Sequence, residues 1–219
     1  MNHVIPDKHI RVPREAMHQF VRTAFTKAGV ADEEAAFMAG VLVAGDLRGV
    51  FTHGTLQTAA YTSLFRTGQL NPRAQLEVVR ETATSVKVDG DGGLGYRPSF
   101  KAVQMAVAKA KAVGMAVGMS SNHGHFGSAG HYTRVAVEAG CLGIAHSSHF
   151  RSFDPASSIL SASGVSPISI GVPAGHEDPL IVDMATGAGP QEFFAQMPGT
   201  FFKMLGFGLI SHALGGILS

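Results

Sequence analysis

From residue 76 onward this chain alternates short apolar runs with stretches of helical period, behind three leading segments that read as helices. That alternation packs helices against a sheet, which restricts the chain to an α/β or mixed α+β fold. Val12-Pro13-Arg14-Glu15 reads as a helix start, with proline at the first turn. Met17, Phe20, Val21, Ala24 and Phe25 follow at helical spacing, and Gly29 closes the segment. Asp32-Glu33-Glu34 places acids at the start of a second helix, where the macrodipole favours them. It runs through Phe37 and Val41 towards Asp46, and a third helix covers 56–65 and stops at Gly68. Strands are predicted at 76–79, 85–88, 115–119, 142–145, 168–172 and 180–182, with helices at 98–113 and 129–139. The expected division is 1–75, a helical segment; 76–187, an α/β core; and 188–219, a tail.

The tail holds eighteen residues, 201–218, broken only by Lys203, Ser211 and His212. A membrane-spanning helix needs about 20 apolar residues and tolerates polar ones poorly. The expectation is a buried core helix and no membrane partner. Net charge is +1 and no basic cluster stands out, which gives no electrostatic footprint for nucleic acid. A single cysteine, Cys141, excludes an internal disulfide framework and suits a reducing compartment. With no apolar leader at the start, these features predict a cytoplasmic globular protein.

Chemistry concentrates in Ser121-Asn122-His123-Gly124-His125-Phe126-Gly127-Ser128-Ala129-Gly130-His131-Tyr132, with three histidines and three glycines in twelve residues. Imidazole moves protons near neutral pH, and glycine lets backbone approach a ligand. A second constellation is Asp46-Leu47-Arg48-Gly49-Val50-Phe51-Thr52-His53-Gly54. Its arginine could grip a carboxylate by charge-assisted hydrogen bonds, with an imidazole close behind. Gly90-Asp91-Gly92-Gly93-Leu94-Gly95 satisfies G-x-G-x-x-G formally. A dinucleotide fingerprint also wants an acid about 20 residues further on, and that strand ends in Ser120-Ser121. A glycine-rich turn is the better reading. His123-x-His125 and His146-x-x-His149 have the look of metal-ligand pairs, but no cysteine joins them and no H-E-x-x-H is present.

Taken in order, these segments resemble the malate/L-lactate dehydrogenase family of NAD(P)-dependent oxidoreductases, which is distinct from the Rossmann-type lactate and malate dehydrogenases. The matching pieces are Asp46-Leu47-Arg48-Gly49 with Thr52-His53-Gly54, Tyr61, Gly68-Gln69-Leu70-Asn71-Pro72 and Val88 through Gly95. Asn122 through Gly127 with Ala129-Gly130, Gly140 through Ile144, Ser166-Pro167-Ile168 and Val182 through Thr186 follow. The resemblance runs from about residue 10 to residue 187. It implies hydride transfer between NAD or NADP and a small 2-hydroxy acid, 2-keto acid or cyclic imine. It implies a mixed sheet flanked by helices, without a Rossmann unit, in a homodimer.

Carried across, the family's proton-accepting histidine falls on His125 and its substrate-side histidine on His53, beside Thr52. Cofactor contacts fall near Ser148, on Asp183, Met184 and Ala185, and on Lys203 within a stretch similar to the family's K-G-[YF]-G-L. No metal site is implied. On the residues alone, Asp183 reads equally as a turn or cap former.

Four departures stand out. Gln57 occupies the place of a family arginine, which leaves Arg48 as the candidate for carboxylate binding. His123 replaces a family serine, and Thr52 replaces another. The chain also passes from Asp183-Met184-Ala185-Thr186-Gly187 almost directly to Phe202-Lys203-Met204-Leu205-Gly206, as if by an internal deletion and an early end. Such a loss predicts exposed apolar surface, weak stability or self-association, and an incomplete cofactor pocket. Two competing readings are a catalytically impaired remnant acting as an interaction protein, and a metal-dependent hydrolase built on the histidines.

Overall fold

The computed structural model describes residues 9–148, 166–186 and 195–217. The chain forms two compact units. The first comprises the described residues up to Glu77 together with Gly90–Tyr96 and Asn122–His125. The second comprises Val78–Asp89, Arg97–Ser121 and the described residues from Phe126 onward.

Helices α1 (Arg14–Lys27), α2 (Asp32–Leu47) and α3 (Thr58–Arg66) build the first unit. Val21 and Phe25 of α1 and Met38 and Leu42 of α2 are almost fully buried. Phe25 meets Phe65 of α3 edge to face, with ring centroids 6.1 Å apart. A buried aromatic of this kind contributes about 1.5–3 kcal/mol by removing apolar surface from water. Gly29 ends α1 at φ +94°, a conformation an L side chain rarely adopts. Arg22 of α1 grips both carboxylate oxygens of Asp32, with Nε donating to Oδ1 over 2.8 Å.

In the second unit, β1 (Glu77–Glu81), β2 (Ser85–Asp89) and β3 (Val117–Ser121) form one sheet in the order β1-β2-β3. Strands β2 and β3 are parallel, Ser85 opposite Val117 and Asp89 opposite Ser121. Parallel strands need a crossover, and the chain between them holds α4 (Tyr96–Val113). Val86 and Val88 point inward and are fully buried. Gly118 lets this helix lie close, since a Cβ there would stand 2.5 Å from the Ala102 carbonyl oxygen.

A second, antiparallel sheet has the order β4 (Gly143–His146), β5 (Pro167–Ala174), β6 (Glu177–Ala185). Helix α5 (Gly130–Glu138) covers one face. Two glycines allow that approach: a Cβ at Gly143 would meet Ala136 Cβ at 2.7 Å, and one at Gly171 would meet Val137 Cγ1 at 2.9 Å. Thr133 Oγ1 and Ser169 Oγ, both buried, share a hydrogen bond of 2.8 Å beneath the helix. Phe126, Ala129 and Tyr132 form a cluster joined by Phe100, Val103 and Ala145. On the other face Ile144, Ile170 and Val182 lie in register, with Val172 opposite Leu180, and all five are exposed.

The mixed fold agrees with the sequence expectation, with strand ends moved by a few residues. The strand expected at 115–119 lies at Val117–Ser121, after Gly114 turns the chain at φ +98°. The tail requires a correction. Helix α6 (Pro198–His212), continued by a π-turn at Ala213–Ile217, is not a buried core helix. Phe201, Leu205, Gly208 and Ser211 form a buried stripe, while Phe202, Phe207 and Ile210 are exposed. A segment apolar on every side does not declare which stripe will pack. Among the described residues no helix is long and apolar enough to cross a membrane.

Candidate functional site

The turn after α2 is built from within the first unit. Arg48 takes the C-terminal cap position of α2 and is exposed, and Gly49 reverses the chain at φ +76°. Two short 3-10 turns follow, Phe51–His53 and Thr55–Gln57. The Asp46 carboxylate reaches over to them. It accepts from the Thr55 amide at 3.2 Å and from Thr55 Oγ1 at 2.5 Å. Gln57 Nε2 donates to the Thr52 carbonyl oxygen at 2.7 Å. Thr52 Oγ1 and His53 Nδ1 are 2.9 Å apart, which fixes the His53 ring.

His125 is delivered by a different device. The loop after β3 starts at Asn122 in the left-handed region, φ +54°. Three backbone hydrogen bonds then join it to the glycine-rich turn: Gly92 N to Asn122 O, Gly124 N to Gly93 O, and Gly95 N to His125 O, at 2.8–3.0 Å. Gly95 must lack a side chain, because a Cβ there would lie 2.5 Å from His123 Nδ1 and 2.8 Å from the Gly124 oxygen. The turn itself is anchored through Asp91, whose carboxylate accepts from Asn71 Nδ2 and the Gln75 amide. The G-x-G-x-x-G run therefore holds the histidine loop in place, and its acid is turned towards its own chain. His123 donates through Nδ1 to the Gly124 carbonyl oxygen at 2.7 Å.

These supports bring the candidate histidines together. The His53 and His125 ring centroids are 5.5 Å apart and inclined by 33°. His125 Nδ1 lies 2.5 Å from Tyr61 Oη, which is 3.1 Å from Tyr96 Oη. Burial pushes the Tyr61 phenol up to about 12, offset only in part by its bond to Tyr96. Sequence reasoning gave Tyr61 no role and missed Tyr96. The available signal was compositional: the chain has three tyrosines and no tryptophan, and two of the three stand here.

The remaining candidates lie in the second unit. Asp183, Met184 and Ala185 end β6, Asp183 and Ala185 exposed and Met184 half-buried. Ser128 Oγ donates to the Asp183 carboxylate, which stands against Gly130 at the start of α5. Ser148 is half-buried and hydrogen-bonded to His212 Nδ1. His146 Nδ1 lies 3.3 Å from Ser211 Oγ, and burial pushes its pKa below the usual imidazole value. Lys203 is exposed on α6. His149 lies outside the described residues. Among the described residues no three histidine, cysteine or acidic side chains are grouped so as to hold a metal.

A family model described as Malate/L-lactate dehydrogenase matches residues 12–192. The chain belongs to this family. Within it, a malate dehydrogenase of Pyrococcus horikoshii is 33% identical over 85% of this chain and 51% of its own. An L-sulfolactate dehydrogenase of Methanocaldococcus jannaschii is 33% identical over 74% of this chain and 47% of its own. The chain thus spans about half the length of these relatives. The solved structure of the Pyrococcus horikoshii OT3 malate dehydrogenase superposes with a TM-score of 0.84 at 29% identity, over 98% of this chain and 70% of that one. Membership in this family favours neither the hydrolase nor the remnant reading.

Proposed function

We propose that this chain is an NAD(P)-dependent dehydrogenase that interconverts a small 2-hydroxy acid and its 2-keto acid, or reduces a related cyclic imine. The observation that carries this reading is the His53–His125 pair at 5.5 Å, held by Thr52 and Tyr61, in a chain of the malate/L-lactate dehydrogenase family. Oxidation of a hydroxy acid separates into hydride loss from carbon and proton loss from oxygen. A bound nicotinamide would supply the hydride acceptor. His125 accepts the hydroxyl proton, and returns it to the carbonyl oxygen or imine nitrogen in the reverse direction. His53 and Thr52 stand on the substrate side. Arg48 binds the carboxylate, since a guanidinium offers paired charged donors, whereas Gln57 is neutral and bonds the Thr52 carbonyl.

The cofactor residues proposed are Ser148, Asp183, Met184, Ala185 and Lys203. An exposed carboxylate and an exposed ammonium suit the ribose hydroxyls and phosphates of a nicotinamide dinucleotide respectively. The reading extends to a cytoplasmic homodimer, supported by the single cysteine and by the apolar face of the second sheet.

The test is consumption of NADH and NADPH with a panel of 2-keto acids and cyclic imines. The expected result is turnover with at least one substrate, reduced about 10²–10⁴-fold in His125→Ala, the range for loss of a general acid–base. Absence of turnover together with absence of reduced-nicotinamide binding would overturn the proposal.

A further inference from the structure

We propose that Tyr61 is a positioning residue that holds the His125 proton on Nδ1, so that Nε2 is the ring nitrogen exchanging a proton with substrate. The pairing of Tyr61 with His125 Nδ1 rests on geometry, while the choice of proton order and its consequence for turnover rest on the dehydrogenase reading above. Tyr61 Oη stands between two partners, His125 Nδ1 at 2.5 Å and Tyr96 Oη at 3.1 Å. Tyr61 is 2% exposed and Tyr96 is fully buried, so water does not compete readily for these bonds.

A phenol carries one proton and can donate to only one of two neighbours. If Tyr61 donated to Nδ1, the neutral ring would carry its proton on Nε2 and that nitrogen could not accept another. If Nδ1–H donates to Tyr61, the Tyr61 proton points to Tyr96 and Nε2 keeps its lone pair. Only the second order suits a proton acceptor. During oxidation the substrate O–H bond breaks and an Nε2–H bond forms, which gives an imidazolium. Nδ1–H still donates to Tyr61 in that state, so nothing in the chain of phenols has to rotate. In reduction the Nε2–H bond breaks and the proton passes to substrate oxygen or nitrogen. Burial also keeps the Tyr61 phenol protonated, so it does not drain the proton from the ring.

The test is long-range proton–nitrogen NMR of the His125 ring in histidine-labelled protein without ligands, comparing wild type, Tyr61→Phe and Tyr96→Phe. The expected neutral wild-type ring has a pyrrole-type Nδ1 and a pyridine-type Nε2. Tyr61→Phe moves it towards the Nε2–H tautomer. Tyr96→Phe moves it the same way, since Tyr61 is then free to donate to Nδ1, and it serves if the first variant fails to fold. A wild-type ring protonated on Nε2, or one unmoved in both variants, overturns the assignment. In turnover, Tyr61→Phe should lower kcat about 10²-fold with KM changed less than about threefold, the pattern of a misplaced proton acceptor. A tautomer that moves as expected in a protein without nicotinamide binding would remove the dehydrogenase reading and keep the assignment. His125-dependent turnover with an unmoved tautomer would do the reverse.

Discussion

The Asp46 carboxylate lies directly over Gly54: a Cβ built on that glycine would stand 1.8 Å from Asp46 Oδ1. The same carboxylate ties down Thr55, so the absence of a side chain at 54 is what lets α2 hold the turn that carries His53. Gly54→Ala is expected to expel the carboxylate and cost about 2 kcal/mol, as for other broken buried hydrogen-bond networks. Urea unfolding would measure it. A cost near zero would mean that Asp46 does not fasten this turn.

Two glycines separate steric need from backbone strain. Gly49 has φ +76° with open space around it, whereas Gly95 is crowded by His123 and the Gly124 backbone. Gly49→Ala should cost about 1 kcal/mol from conformation alone. Gly95→Ala should cost more and also displace His125, visible as a larger loss of turnover. Equal effects on stability and rate would count against the zipper of backbone bonds between the two loops.

Alkaline stability should report Tyr61. Its folded pKa of about 12 exceeds the ordinary 10.0, so the folded state holds this proton more tightly. The contribution is complete below pH 10 and is lost as pH rises towards 12. Two units correspond to about 2–3 kcal/mol. Wild type should therefore lose about that much more stability than Tyr61→Phe over this window. Parallel curves for the two proteins would contradict the burial of this phenol.

Acid should act through His146. Burial lowers its pKa from the ordinary 6.5, so the fold favours the neutral ring. Its contribution is present above pH 6.5 and is lost as pH falls through the lower folded value. His146→Gln, which cannot gain the charge, is expected to flatten the acid side of a stability–pH curve. An unchanged acid limb would place the sensitivity elsewhere.

The second sheet offers Ile144 at 59%, Ile170 at 38%, Val182 at 48% and Leu180 at 70% exposure on one face. Such a face binds hydrophobic dye and promotes association. Ile144→Lys with Val182→Lys should reduce both dye fluorescence and the sedimentation-derived mass at high concentration. If neither falls, that face is not the surface responsible.

Much of the fold was readable because it depends on local pattern. The spacing of Val21 and Phe25 and the alternation around Val86 and Val88 are set by which side chains must leave water, and the acids of Asp32–Glu34 by the dipole of the helix they open. The candidate histidines stood out locally too, since imidazole moves protons near neutral pH and glycine lets backbone approach a ligand. The α6 stripe was not, because the segment is apolar all round and only its neighbours choose the packed face. The role of the Gly90–Gly95 turn was equally hidden. Its spacing reads as a glycine-rich turn, while its backbone bonds go to a loop about thirty residues away in sequence.

The sequence by itself determined the element types, the family and which histidines to watch, because periodicity, turn chemistry and motif order are properties of neighbouring residues. Tertiary structure decided that Tyr61 and Tyr96, 35 residues apart, meet at the Nδ1 side of His125. Hydrogen bonds between distant segments depend on how helices and loops pack, and no local pattern encodes a direction in space.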